Sequence, residues 1–279
     1  MAVALAAVVS LGASAPQQPD LPALLSRAAA YISTYEHQLS AVVAEETYDQ
    51  SVGSDTDRAV QNQHQQLHSD LMLIDLGEAS WVQFRDTYAV DDTPIREHEA
   101  RLEQLFLNPS ADALTRAQHV ADESASHNLG VVRNINVPTM ALAYLSGQNQ
   151  KRSVFTLEGP ATVGGVSTMI VGFREVAKPP MIQVSVGTLE TSGRYWIVPD
   201  TGAVLCSELD IAITGAHSKG LKGTVTVTYA SQPALKMLVP AVMDEEYDRD
   251  SGEIDRGHAT YANLRRFSVD VSTFHKGGG

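Results

Sequence analysis

The chain has 279 residues, 43% of them apolar and 19% charged, a globular composition with ample material for a core. It carries 20 Lys and Arg against 33 Asp and Glu, and a net charge of −13 repels phosphate backbones, which excludes nucleic acid as a default partner. A single cysteine, Cys206, excludes an internal disulfide and a cysteine-based metal site.

Ala2 to Ala13 is almost wholly small and apolar. Ala13-Ser14-Ala15 fits a small-residue cleavage pattern, and the polar Pro16-Gln17-Gln18-Pro19 follows. Residues 1–15 therefore read as a signal peptide, although Lys or Arg is missing between Met1 and the apolar run. Residues 16–275 read as a single domain and 276–279 as a tail. No later apolar run approaches ~20 residues, so no transmembrane segment is expected after signal cleavage. The expected location is periplasmic or secreted.

Asp20 is placed to cap a helix that begins at Leu21, with Pro22 in the first turn. Leu21, Leu24, Leu25, Ala28, Tyr31, Ile32, Tyr35, Leu39 and Val42 recur at helical spacing and predict one long amphipathic helix. Val43 to Val52 reads as extended. Ser51 to Gln66 is polar and rich in Gly, Asp and Gln, which predicts a mobile loop. Leu67 to Leu76 is a short apolar run. Trp81 to Val90 alternates, with Val82, Phe84, Tyr88 and Val90 expected on one buried face and Gln83, Arg85 and Thr87 on the other. Asp91-Asp92-Thr93-Pro94 predicts a turn. A helical insert, about 97–128, follows, broken and recapped at Asn108-Pro109-Ser110. Val137 to Leu145 is apolar but has no clear period.

From Arg152 onward the pattern is of strands: Ser153–Leu157, Val166–Glu175, Met181–Val186, Arg194–Val198, Ala203–Thr214, Thr224–Ala230, Val239–Tyr247 and His258–Val271. Short polar or Gly-bearing turns join them, as antiparallel neighbours require. In Pro199-Asp200-Thr201-Gly202, Gly202 supplies the positive φ of a type I turn with a G1 bulge. The fold class is α+β: a large curved antiparallel sheet, a half-barrel, wrapped around the N-terminal helix, with a helical insert. Such a sheet buries the helix and leaves a groove.

Motifs for chemistry are sparse. Phosphate-cradling glycine loops and His-Glu-x-x-His are absent, and Gly165-Val166-Ser167-Thr168 lacks the second glycine of a nucleophile elbow. His64 and His68 would share one ion on a helix, but on a strand four residues span ~13 Å. His98, Glu99, Asp122, Glu123 and His127 read as a solvated helix face. Asp244, Glu245, Glu246, Asp248, Asp250 and Glu253 form an acidic cluster without the spacing of a calcium loop. No metal or cofactor is expected. Cys206 lies in an apolar strand and reads as an inert thiol.

The hairpin Trp196 to Gly202, within "YWIVPDTGAVL", resembles that of the periplasmic lipoprotein-carrier superfamily, whose members have a half-open barrel closed over by helices. Most of the chain is also similar to uncharacterised exported bacterial proteins, through "YDQSV", "SDLMLIDL", "WVQFRDTYAVDDTPIRE", "NLGVVRNINVPTMAL", "LVPAVMDEEY" and "GHATYANLRRFSV". The carrier resemblance implies an exported binding protein, with a lipid or lipoprotein as partner and an acyl chain in an apolar groove between helix and sheet. Tyr88 and Phe173 are the candidate ligand-binding residues, each bulky and toward the end of its strand. The alternatives are an envelope protein-interaction or sensing module with a filled core, and a hydrolase.

Overall fold

The computed structural model describes residues 20–39, 42–54, 63–75, 81–98, 101, 113–130, 135–183, 187–214 and 220–266. The expected signal peptide and tail, and residues 99, 100 and 102–112 of the expected insert, lie outside them.

Helix α1 spans Leu21–Leu39, and Asp20 caps it by accepting from the Ala23 amide at 3.3 Å. Leu24, Ala28, Ile32, Tyr35 and Leu39, at three- and four-residue intervals, form its buried face. Eleven strands form one sheet: β1 Val42–Ser54, β2 Gln63–Asp75, β3 Trp81–Val90, β4 Thr93–Pro94, β5 Ser153–Val163, β6 Val166–Glu175, β7 Thr188–Ile197, β8 Val204–Thr214, β9 Leu221–Gln232, β10 Met237–Arg249 and β11 Glu253–Arg266. The order is β4-β3-β2-β1-β11-β10-β9-β8-β7-β6-β5, and every neighbouring pair is antiparallel. The sheet is thus two meanders joined where the last strand returns beside the first. It curves around α1 without closing, and its inner face and α1 share one hydrophobic core.

Two tight turns follow from their residues. Asp91 and Asp92 both have positive φ, 48° and 57°, and join β3 to β4 through a two-residue turn. Gly202 has φ +76°, its amide donates to Val198 O at 2.9 Å, and the ladder shifts register between Trp196 and Ile197, as the expected bulge requires.

Several expectations need correction. Residues 51–54 continue β1 and residues 63–66 begin β2, so the expected loop does not include them. Strand β5 runs past Leu157 through Gly159 and Pro160 to Val163. Proline is tolerated there because β5 is the edge strand, and the register shift between Leu157 and Gly159 absorbs the irregularity. Residues 181–183, expected in a strand, form none; the Met181 amide is held instead by the Glu175 carboxylate.

Before its bulge at Tyr88 the faces of β3 are also reversed, while Val90, beyond the bulge, packs on the core as expected. Phe84 is buried but lies outside the core shared with α1, whereas Arg85 turns inward to Glu46. The reason is the insert. Helix α2, Ala113–Ala125, packs along β3, with Ser124 Oγ accepting from the Thr87 amide at 2.9 Å. Arg96 and Arg101 bind Asp86, and His98 binds Asp70 at 2.9 Å. Both faces of β3 are therefore covered, and alternation no longer tells inside from outside.

Candidate functional site

Residues 135–150 cross the inner side of the sheet without strand structure, forming a 3-10 turn at Ala141–Leu145. Four polar side chains fasten this segment from below and from the side. Tyr195 of β7 donates to Ala141 O at 2.6 Å, and Tyr229 of β9 donates to Pro138 O at 2.7 Å. Arg85 of β3 reaches Asn136 O at 3.3 Å, and Gln150 Nε2 donates to Leu25 O of α1 at 2.9 Å. Burial raises the pKa of both tyrosines, so they remain protonated donors. Leu142, Tyr144 and Leu145 fill the space beneath, with Tyr144 packed on Phe173 at 5.0 Å between ring centroids.

Between this segment and α1 lies a cavity of about 420 Å3. Helix α1 contributes Tyr35, Glu36 and Leu39. The crossing segment contributes Val137, Met140, Leu142 and Ala143 to an apolar wall, and Ser146, Gln148 and Asn149 to a polar one. Gln83 comes from β3 and Met181 from the connection after β6. These two belong to opposite ends of the strand order, so the cavity sits where the ends of the curved sheet approach without pairing. Its volume and its mostly apolar lining with a few polar groups suit a slender small-molecule ligand.

A buried polar cluster stands beside it on the inner face of β1, β3, β10 and β11. Arg85 holds Glu46 bidentately, at 2.5 and 2.9 Å. Burial opposes the Arg85 charge, but Glu46 outweighs it, and the guanidinium pKa is raised. Tyr247 donates to Glu245 at 2.5 Å. Burial, assisted by the neighbouring Glu46 and Asp255 carboxylates, pushes the Glu245 carboxyl up to about 8. Gln50 ties down residues 128 and 129 through Asn128 Oδ1 and the Leu129 amide. These groups hold the crossing segment and insert to the sheet.

A larger groove, about 580 Å3, crosses strands β1, β2 and β9–β11. It is lined by charged residues that answer one another across strands: His258 with Asp244 at 2.6 Å, Arg256 with Glu246 at 2.8 Å, and His64 with Asp49 at 3.7 Å. Most of these side chains are exposed, and the pairs are those of a solvated sheet face. His64 and His68 both lie on β2, and His68 contacts Asp92 at 3.2 Å. The expected acidic cluster is drawn into such pairs and turns, with Asp250 capping the Gly220 amide and Glu253 bound to Arg249. Among the described residues no group of three or more metal-ligating side chains converges.

No protein-family model matches the chain, and no curated protein matches it in sequence. Its path is similar to that of solved structures. One is a DUF1329 family protein from Desulfovibrio piger: 11% identity, TM-score 0.41, covering 91% of this chain and 96% of that one. A domain named for outer membrane lipoprotein sorting from Vibrio parahaemolyticus has 8% identity and a TM-score of 0.39, covering 88% and 95%. A LolA superfamily protein from Nitrosomonas europaea has 11% identity and a TM-score of 0.33, covering 88% and 96%.

Of the two candidate binding residues, Phe173 lies in the core beneath the crossing segment, stacked on Tyr195 at 5.0 Å and 4% exposed. Tyr88 sits at the bulge of β3, stacked on His98 at 4.0 Å. Neither is among the residues lining the 420 Å3 cavity, and the structure does not bring them together. The cavity's principal wall is the Val137–Leu145 run. Its only sequence signal is an apolar stretch with neither strand alternation nor helical length. Cys206 is half-buried, and burial pushes its thiol up to about 11, which keeps it protonated.

Proposed function

We propose that this protein is an exported binding protein that holds the apolar chain of an amphiphile in the cavity between α1 and residues 137–149. The observation that carries this reading is the cavity itself: an apolar wall fixed by buried tyrosine hydroxyls, at the side where the sheet does not close. Each methylene buried there contributes about 0.8 kcal/mol, so a chain of about twelve carbons contributes roughly 10 kcal/mol before the cost of ordering it. The rings below the segment are packed, so the room for the chain is the cavity beside α1. Export rests on the apolar run Ala2–Ala13 and its small-residue end. A lipid or an acylated lipoprotein are the ligands in keeping with that location.

Native mass spectrometry of the full chain recovered from cell envelopes tests this. The expected result is a fraction carrying a lipid-sized mass that is lost in an Ala143→Phe variant, whose ring fills the cavity. An unliganded mass in both proteins, together with no uptake of added lipid, contradicts it.

A further inference from the structure

Gln83 and Met181 line the same cavity from opposite ends of the strand order, so the sheet's hydrogen-bond ladder does not set the distance between them. Residues 176–183 belong to neither strand nor helix. Methionine is also the most adaptable of the apolar side chains, and it makes a defined wall only on a fixed backbone. A carboxylate fixes it here. Glu175, at the end of β6, accepts from the Met181 amide with both oxygens, at 2.9 and 3.2 Å.

Glu175 is held in turn. Its side chain is 3% exposed, and Arg152 Nε donates to its Oε1 at 3.1 Å. The Arg152 guanidinium also donates to Pro179 O, two residues before Met181. Arg152 closes the end of the crossing segment. Its amide donates to Asn149 O at 2.8 Å, and its carbonyl accepts from the Val176 and Ala177 amides at 2.8 and 3.0 Å. Asn149 and Met181 both line the cavity, so one ion pair ties its polar wall to its Met181 wall. A buried ion pair adds little net stability, because desolvation offsets its attraction. Its effect here is geometric: it holds the connection after β6 in one place.

Held in this way, Met181 bounds a cavity of about 420 Å3, toward the lower end of the roughly 300–1,000 Å3 of small-molecule pockets. Resting on the binding reading above, we infer that the Arg152–Glu175 pair sets the bore of the cavity through Met181, and that the site takes amphiphiles with one apolar chain in preference to those with two. Glu175 is a positioning residue, since it acts on the ligand through Met181. The selection works by exclusion: a second chain beside the first meets the Met181 side chain on its pinned backbone. It concerns the chains and is independent of the charge on the head.

The test is displacement of the neutral dye N-phenyl-1-naphthylamine from the full chain, below micelle concentrations, by 1-lauroyl-lysophosphatidylcholine and by dihexanoylphosphatidylcholine. The two lipids share a head group and a total of acyl carbons, and differ in having one chain or two. The lysolipid is expected to act at about tenfold lower concentration, the scale of about two methylenes left outside the cavity. Met181→Ala should bring this ratio below about threefold by improving the two-chain lipid. Glu175→Ala should do the same, and the double variant should add nothing beyond either single change. Glu175→Gln keeps an oxygen for the Met181 amide and should restore most of the preference. Arg152→Gln removes the guanidinium that holds Glu175 and Pro179 O, and reads the same effect if Glu175→Ala does not fold. A wild-type chain that binds the two-chain lipid as well as the lysolipid, or better, overturns the inference and leaves the cavity reading intact. So does a preference that survives Met181→Ala, or a Glu175→Ala effect that adds to that of Met181→Ala. Failure of the dye and both lipids to bind the folded wild-type chain overturns the cavity reading itself.

Discussion

Gly202 and Arg27 meet backbone to backbone: a Cβ on Gly202 would stand 2.4 Å from the Arg27 carbonyl carbon and oxygen. Arg27 Nε closes the same junction by donating to Pro199 O at 2.7 Å. The β7–β8 hairpin, which has no catalytic residue type, is therefore the clasp that seats α1 on the sheet. Gly202→Val adds strain at positive φ to a steric clash with a helix backbone that cannot yield locally. The expected cost is about 2–5 kcal/mol, read as a lowered midpoint in urea unfolding. A midpoint equal to that of the wild type contradicts the clasp.

Arg85 and Glu46 form a buried pair that also reaches the crossing segment through Asn136. Removing one partner leaves a charge without compensation, so Arg85→Met should cost about 3–5 kcal/mol. The double variant Arg85→Met with Glu46→Leu should recover a large part of that. Equal losses in the single and double variants would show that packing of the Arg85 stem, and not the charge pair, is what counts.

Stability should fall as pH rises. The Glu245 carboxyl is raised to about 8 in the folded chain, against an ordinary glutamate value of about 4.3 in the unfolded chain. The folded state therefore holds the extra proton between those values. The contribution is fully present below the unfolded value and is lost as pH rises through about 8. Asp86, raised by burial despite its Arg101 partner, acts in the same sense. Urea midpoints measured from about pH 5 to 9 should decline, and Glu245→Gln should flatten the decline. A wild-type midpoint that rises over this range would contradict the protonated state of Glu245.

Phe173→Ala separates core from site. Phe173 is packed among Tyr144, Phe155 and Tyr195, so truncation should cost about 3–5 kcal/mol. Tyr88, half-buried and stacked on His98, should cost less. Neither substitution should change lipid uptake by the fraction that remains folded. A selective loss of uptake in the stable Tyr88→Ala protein would place part of the ligand outside the cavity described here.

The helix and most strands were legible in the sequence because each has one wet face. The period of Leu24, Ala28, Ile32 and Leu39, and the turn signals at 91–94 and 199–202, report local physics that the tertiary fold leaves intact. Legibility failed where an element is covered on both sides or held by remote groups. Phe84 and Arg85 read as inside and outside, but the insert buries the outer face and Glu46 pairs the inward charge. The cavity wall at 137–149 has no period of its own. Its shape is set by Tyr195, Tyr229 and Arg85, which lie more than 50 residues away in sequence. Candidate lining residues chosen by bulk and strand position could not anticipate a wall made by an irregular segment.

Photo-crosslinking with a monoacylglycerol bearing a diazirine near the end of its acyl chain tests the central claim most directly. The chain end, anchored in the cavity, should insert into Met140, Leu142, Leu39 or Met181, and tandem mass spectrometry of the digested protein should place the adducts there. Excess unlabelled monoacylglycerol should abolish them. Adducts spread over exposed strand residues, or concentrated on the charged groove of β9–β11 and insensitive to competitor, would contradict a ligand held between α1 and the crossing segment.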